Sequence, residues 1–353
     1  MLFLGLYPDF SVYYYGSKFF SAGQNPYLSG QALFSGYSYP PIVFLLFIPF
    51  TFLPFQISEV SWIFLNVAFL ITAIIFLTKI FSISFFSRVN LLLSSFVFLS
   101  FPTKFTLGMG QMNIVILLLL VLSLYFIKQK KDFYGGLLLG VSLMLKLFPL
   151  LLPFYFIIRL KKEILLGIFS SIIGATFLVV LFVPTNIYLY FMSNVVPYFF
   201  SSSWKLEYYS QSLSAFVGRT FGVGDVGVAL KIGLTLTIVL ITFFIVLKKQ
   251  EKDFLATSLI FGFLITATML INTFSWQHHF VWLIIPFYAT TFYLIKKRFG
   301  KSEFIMLGVS YFLVSINFKN PEIIPVLFRS HVFYGTLILF FVNARLLFLK
   351  KQK

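Results

Sequence analysis

Asp9 is the only carboxylate in the first 58 residues, set within Tyr7-Pro8-Asp9-Phe10-Ser11-Val12-Tyr13. Behind it come Gly23-Gln24-Asn25-Pro26-Tyr27 and Tyr37-Ser38-Tyr39-Pro40-Pro41, ahead of a chain that is otherwise almost wholly apolar. A single acid in a polar, Tyr- and Gly-rich loop beside a bilayer is placed to act as a general base. The structural alternative is an acid in a turn or at a helix start. Three further polar features lie downstream. Lys146 interrupts the apolar run 134–158, followed by Pro149. A charge at mid-membrane costs about 2.5–3.5 kcal/mol on insertion scales, so it ordinarily faces a cavity and has a purpose. Its alternative is a lysine snorkelling to the headgroups, while Pro149 frees backbone groups and suits a short helical hairpin lining a site. Ser275-Trp276-Gln277-His278-His279 holds the only adjacent histidines, whose imidazoles hold phosphate or shuttle protons near neutral pH. The segment 210–219 reads as polar and exposed, with Arg219 a candidate phosphate clamp.

The elements that position these groups are membrane helices. Hydrophobic residues make up 59% of the 353 and charged residues only 10%, against roughly 25% charged in soluble proteins. The fold class is therefore all-α, a polytopic transmembrane bundle, with 1–353 forming one integral membrane domain. There is no cysteine, which removes disulfides, thiolate metal sites and Cys nucleophiles. The net charge of +17 is not a nucleic-acid signal, because the basic residues cluster in short loops between apolar runs, as on a cytoplasmic face. Apolar runs fall near 59–79, 89–102, 111–127, 134–145, 147–158, 164–183, 226–247, 254–272, 280–295, 304–317 and 331–349. Several are shorter than the ~20 residues of a straight span. If each crosses, about 11 spans result and the basic clusters share one side. The stretch 42–55, with Pro49 and Pro54, then reads as re-entrant or interfacial. The opposite side collects an outer loop 1–41, the segment 104–113, the long outer loop 184–225, and the segments 272–279 and 317–330. Aromatic residues fill the long loop and suit a surface helix or an aromatic belt.

One carboxylate thus shares a face with Lys146, Arg219, His278 and His279. A base with phosphate-binding cations suits a reaction whose leaving group is a lipid phosphate. In order and approximate spacing, the chain resembles the polyprenol-phosphate-sugar-dependent glycosyltransferases of family 87, in the C-type membrane glycosyltransferase superfamily. The pieces that carry the resemblance are Asp9-Phe10 with Val12-Tyr13-Tyr14, Gly23 to Tyr27, Tyr39-Pro40-Pro41, Gly110-Gln111-Met112-Asn113, Lys146 with Pro149, Gln211-Ser212-Leu213, and Ser275 to His279. Each is weak alone; the ordered series is strong.

The resemblance implies an inverting transferase of the plasma membrane. It would take a hexose, typically mannose, from a polyprenyl-phosphate donor to a glycan, lipid or protein acceptor outside the cytoplasm. It makes Asp9 the catalytic base and places Lys146, His278 and His279 near the donor phosphate. Tyr13, Asn25, Gln111, Asn113, Gln211 and Trp276 are expected to bind substrate. Gln211 stands where an Asn is common. The resemblance also implies a membrane helix ahead of the Asp9 loop. Met1-Leu2-Phe3-Leu4-Gly5-Leu6 looks like the tail of that helix, from a misassigned start or a truncated product. There is no Asp-x-Asp motif, so no obligatory metal or other cofactor is expected, with Mg²⁺ held through the substrate phosphate left open. Two histidines alone make a poor metal site. A lipid-linked polysaccharide polymerase or ligase is the nearer rival reading, and a transporter or flippase the more distant one.

The basic clusters generate a topology test. Lys131, Lys162, Lys249, Lys297 and Lys351 are expected on the cytoplasmic side, with Asp9 and His279 opposite. A membrane-impermeant thiol reagent applied to Lys131→Cys and His279→Cys, in a background with no native cysteine, should label only the second from outside. Equal labelling of both refutes the orientation.

Overall fold

The computed structural model describes residues 8–29, 39–146, 148–197, 204–248 and 253–348; residues 1–6 therefore lie outside the described part. In chain order the helices are α1 (Pro8–Ser21), α2 (Pro41–Phe47), α3 (Phe55–Phe81), α4 (Arg88–Leu99), α5 (Phe101–Gly108), α6 (Asn113–Lys128), α7 (Asp132–Leu145), α8 (Leu151–Ile158), α9 (Lys162–Phe182), α10 (Thr185–Tyr190), α11 (Leu213–Phe221), α12 (Asp225–Lys248), α13 (Phe254–Ile271), α14 (Ile284–Lys296), α15 (Lys301–Ser315) and α16 (His331–Phe348). Among the described residues there is no strand, only an isolated antiparallel bridge between Ser210 and Trp276. The protein is an all-α, multi-pass membrane bundle. Among the described residues, six helical segments are long and apolar enough to cross a bilayer, or seven if α4 and α5, bent by 50°, form one span. The expected eleven are not reproduced, because four of the apolar runs fold into shorter helices. The 16 residues of α6 rise only about 24 Å at 1.5 Å each, less than the ~30 Å hydrocarbon thickness. The stretch 42–55 becomes α2 and a 3₁₀ turn, Ile48–Phe52, too short to cross. The expected outer loop 1–41 also contains regular structure: Asp9 sits in the first turn of α1.

The described residues group into two compact units, each drawn from several stretches of chain. In the first, α1 is fastened to α2 and the start of α3 by aromatic packing. Tyr13 and Phe47 lie 4.7 Å apart, and Phe47 and Trp62 4.6 Å, between ring centroids. Ser17 Oγ donates to the Phe44 carbonyl at 2.8 Å, and the Tyr14 hydroxyl to that of Leu53 at 2.8 Å. Phe10, Tyr13, Phe44 and Phe47 are fully buried.

The same unit holds α7 against α9 through small residues. A Cβ on Gly136 would stand 2.0 Å from the Ile164 carbonyl oxygen, and one on Gly167 would stand 2.1 Å from that of Phe133. Ser171 Oγ bonds the Leu137 carbonyl at 2.6 Å, and Ser123 on α6 bonds that of Gly135 at 2.8 Å. Close backbone approach through small residues is how helices associate in lipid, where apolar surface alone supplies no drive. This packing fixes the axis of α7 and hence the position of Lys146, which follows its last turn in an extended conformation (φ −155°, ψ 115°).

In the second unit α13 and the segment Gln277–Lys296, which ends in α14, form the buried centre. Gly262 meets Pro286 there, a Cβ falling 2.7 Å from its Cα, and Thr290 Oγ1 donates to Asn343 Oδ1 at 2.6 Å.

Gly136→Ala is expected to lower the thermal midpoint of the solubilised protein sharply, since backbone must move to admit the methyl. Gly174→Ala, on α9 with nothing within 4 Å of its Cβ, is expected to be neutral or slightly stabilising. Equal midpoints for the two variants refute the close-packed α7–α9 contact.

Candidate active site

The site is built on the turn between α5 and α6. Gly110 closes α5 in the left-handed region (φ +62°), which glycine adopts without the steric cost of a Cβ. Gln111 N–H reaches back to the Thr106 carbonyl at 3.0 Å and Gly110 N–H to that of Leu107 at 3.1 Å, the Schellman pattern. Trp62 Nε1 donates to the Gly110 carbonyl at 2.7 Å. The Met109 carbonyl accepts from the backbone N–H groups of both Asp9 and Phe10, at 3.2 and 3.3 Å. The turn thereby satisfies donors that the first turn of α1 would otherwise leave open.

Five expected site residues and one unexpected one meet here. Gln111 Nε2 donates to Asp9 Oδ2 at 2.6 Å. The hydroxyls of Tyr13 and Tyr39 both donate to Gln111 Oε1, each at 3.1 Å, and the two rings pack edge-on with centroids 4.8 Å apart. Tyr13 also accepts from the Met112 N–H at 3.4 Å. Lys146 Nζ donates to Asn113 Oδ1 at 2.9 Å and lies 5.6 Å from the centroid of the Tyr39 ring, a cation–π distance. Burial pushes the Asp9 carboxyl up to about 6, against the opposing pull of the Gln111 hydrogen bond and the Lys146 charge. A carboxylate titrating there is ionised at neutral pH and is a stronger base than an ordinary one. It lies on α1, outside the spans that cross the bilayer. Asn25 makes a local bond: its Oδ1 accepts from the Tyr27 N–H at 3.0 Å, while the Tyr27 hydroxyl donates to the Tyr39 carbonyl at 2.7 Å.

The other expected residues belong to the second unit. The segment 210–219 is not exposed as the sequence suggested: Ser210, Gln211 and Ser212 are fully buried and α11 begins directly after them. Many of its polar groups bond neighbouring loops. Gln211 N–H donates to the Ser275 carbonyl at 2.8 Å, and Gln277 N–H to that of Tyr209 at 2.9 Å. Gln211 Nε2 donates to the carbonyls of Tyr208 and Arg329, at 2.7 and 2.8 Å. Arg219 Nη1 donates to the Ser210 and Glu207 carbonyls at 2.8 and 3.0 Å, and Nη2 to Ser330 Oγ at 2.8 Å. These bonds tie α11 to the segments around 207–210 and 330. His278 and His279 are likewise buried in the first turn of a 3₁₀ helix, Gln277–Leu283, and not in an open loop. His279 Nδ1 accepts from the Trp276 N–H at 3.0 Å, which leaves the ring proton on Nε2 when the imidazole is neutral. Its ring centroid lies 4.6 Å from that of Phe148 and 4.3 Å from that of His278; the Trp276 and His278 rings stack at 6.3 Å.

Two hydrogen-bonding groups, Tyr39 in the site and His331 in the second unit, had no chemical signal in the sequence. Tyr39 stood in a quoted motif, but nothing in Tyr-Pro-Pro announces a hydroxyl aimed at Gln111. His331 opens an apolar helix and bonds the Tyr208 hydroxyl at 2.9 Å and the Leu313 carbonyl at 2.8 Å.

The protein is thus a multi-pass helical bundle in which a carboxylate with a raised titration and a lysine bond the amides of one turn. The chain belongs to glycosyltransferase family 87, whose profile matches residues 37–273. Gln111, Asn113, Lys146, Gln211 and Arg219 fall within that segment, whereas Asp9, His278 and His279 fall outside it. The chain is similar to the polyprenol-phosphate-mannose-dependent alpha-(1-2)-phosphatidylinositol pentamannoside mannosyltransferase of Mycolicibacterium smegmatis, with 24% identity over 258 residues, 70% of this chain and 59% of that protein. It is also similar to the alpha-(1->3)-arabinofuranosyltransferase of Corynebacterium glutamicum, with 28% identity over 141 residues, 39% of this chain and 33% of that one. The alignments thus span under two thirds of either relative. No solved structure matches the chain.

The bonds of Arg219 distinguish a staple from a clamp. Arg219→Gln is expected to lower unfolding stability by ~1–3 kcal/mol, the cost of leaving buried partners unmade. An unchanged thermal midpoint with weakened donor binding would instead make Arg219 a phosphate ligand.

Proposed function

We propose that this protein is an inverting glycosyltransferase of the plasma membrane. It transfers a hexose, mannose by analogy with the name of its mycobacterial relative, from a polyprenyl-phosphate donor to a glycan, glycolipid or protein acceptor on the non-cytoplasmic face. The observation that carries this reading is the Asp9 carboxylate, held by Gln111 and raised to about 6 by burial. The acceptor hydroxyl gives its proton to Asp9 as its oxygen attacks the anomeric carbon. Attack from the face opposite the leaving phosphate inverts the configuration, so a β-linked donor yields an α-glycoside. Phosphate is a good leaving group and needs no second carboxylic acid, unlike the aglycone of a glycosidase. Lys146 is the cation that offsets its growing negative charge. For His278 and His279 the assignment as donor-phosphate ligands rests on the family resemblance and on imidazole chemistry.

The titration of Asp9 sets two signs. As a base it works only when ionised, so transfer is expected to fall as pH drops through about 6. Burial lowers Lys146 to about 7 against the pull of Asp9, so transfer is expected to fall again as pH rises past that value and the cation is lost. As a buried acid with a raised pKa, it favours the folded state below its ordinary value of 3.8, and that contribution is lost as pH rises through about 6. Asp9→Asn is therefore expected to lose ~10²-fold or more of its transfer rate while its thermal midpoint at pH 7 stays level or rises. Lys146→Met should weaken donor binding instead. Sugar transfer and donor affinity measured on both variants test the assignment. Parent-rate transfer by Asp9→Asn would sink it and favour a polysaccharide polymerase or ligase.

A further inference from the structure

The Gly110–Asn113 turn presents two primary amides two residues apart, and they face opposite charges. Gln111 donates to a carboxylate and Asn113 accepts from an ammonium. The orientation of Gln111 follows from chemistry alone. An ionised carboxylate is acceptor-only, so the amide must turn its NH₂ to Asp9 Oδ2 at 2.6 Å. The carbonyl end then faces Tyr13 and Tyr39, and each phenol has a single hydrogen, which it must direct at Gln111 Oε1. Two donors on one carbonyl lock the amide against flipping. Gln111 is itself 3% exposed, with both ends engaged inside the protein.

We propose that Gln111 is the positioning residue of the base: it holds Asp9 Oδ2 and leaves Oδ1 to take the acceptor's proton. The inference rests on Asp9 being the base and revises the expectation that Gln111 binds substrate. In the transfer the acceptor O–H bond breaks and an Oδ1–H bond forms. The oxygen's electron pair makes the new bond to the anomeric carbon, and the pair of the breaking carbon–oxygen bond leaves with the phosphate. Neither Tyr13 nor Tyr39 can donate to a sugar while its hydrogen is committed to Gln111. The groups facing Asp9 are Tyr13 on α1, Tyr39 ahead of α2, Lys146 after α7 and Gln111 itself. Of these, Gln111 is the one hydrogen bonded to the carboxylate, and its loss removes a contact that favours the ionised form.

The test is the pH–rate profile of the full-length protein in lipid, using a polyprenyl-phosphate mannose donor, for the parent, Gln111→Leu and Asp9→Asn. Gln111→Leu is expected to lower kcat by roughly 10–10²-fold, part of the ~10²–10⁴-fold that a positioned base supplies. Its acidic limb should move upward by about half a unit or more, with KM for the donor within about threefold of the parent. An unmoved limb overturns the proposal. If KM then rises, Gln111 binds substrate; if only the thermal midpoint falls, its role is purely structural. Failure of the underlying reading is visible separately, as parent-rate transfer by Asp9→Asn. Should Gln111→Leu not fold, Tyr13→Phe, Tyr39→Phe and their double variant decide the matter. Each single variant leaves one hydroxyl on Oε1, so the limb shift of the double is expected to exceed the sum of the singles. Strict additivity overturns the proposal.

Discussion

The site depends on one short turn holding two opposite charges apart. Between α5 and α6, Gln111 faces the Asp9 carboxylate and Asn113 faces the Lys146 ammonium. Neutral amides suit this task. A cation in place of Gln111 would stabilise the carboxylate further and depress its basicity, while an acid in place of Asn113 would compete for Lys146. With amides, the carboxylate stays raised to about 6 by burial, only partly offset by Gln111 and Lys146. The turn also receives the start of α1 through the Met109 carbonyl and the ring of Trp62 through the Gly110 carbonyl. Backbone and side chains therefore fix the same acid from two directions.

The helices around this turn serve as its scaffold. The glycine-mediated contact of α7 with α9 determines where α7 ends, and Lys146 is the first residue beyond that end. The aromatic cluster of Phe10, Tyr13, Phe47 and Trp62 seats α1 against α2 and α3. Rings that are rigid and bulky, packed beside backbone that approaches closely, leave few ways for either charged residue to drift. Such precision matters to a general base, whose effect vanishes once it leaves hydrogen-bond reach of the proton.

The second unit uses its polar residues differently. Gln211, Arg219 and the Ser210–Trp276 bridge tie the segments 207–212, 275–277 and 329–333 together. Those ties hold the turn bearing His278 and His279. In an apolar surrounding, a buried carbonyl without a donor costs more than in water, so amide and guanidinium groups placed among loop ends stabilise the loops first. Gln211 and Arg219, which look like ligands in a sequence, here bond the carbonyls of neighbouring loop ends.

The sequence by itself determined the membrane class, the helical composition and the small set of polar residues able to do chemistry. Long apolar runs admit no other structure in lipid, since backbone groups must be satisfied within the segment. Isolated charges such as Asp9 and Lys146 are conspicuous because burying them is costly. It also carried the ordered motifs of the family. It did not determine how many runs become full-length spans, because a run's hydropathy does not report where a helix bends or stops, as at Ser100 between α4 and α5 or at Lys146 after α7. Nor did it determine the partners of the polar residues. Gln111, Tyr13 and Tyr39 are separated by up to 98 positions, and their common hydrogen-bonded cluster exists only once α1, α2 and the α5–α6 turn pack together. Gln211 and Arg219 read as ligands in one dimension, and packing brought each to backbone carbonyls that the sequence did not announce. Hydrogen bonds are satisfied by whatever the fold brings within 3 Å, and that proximity is a property of packing.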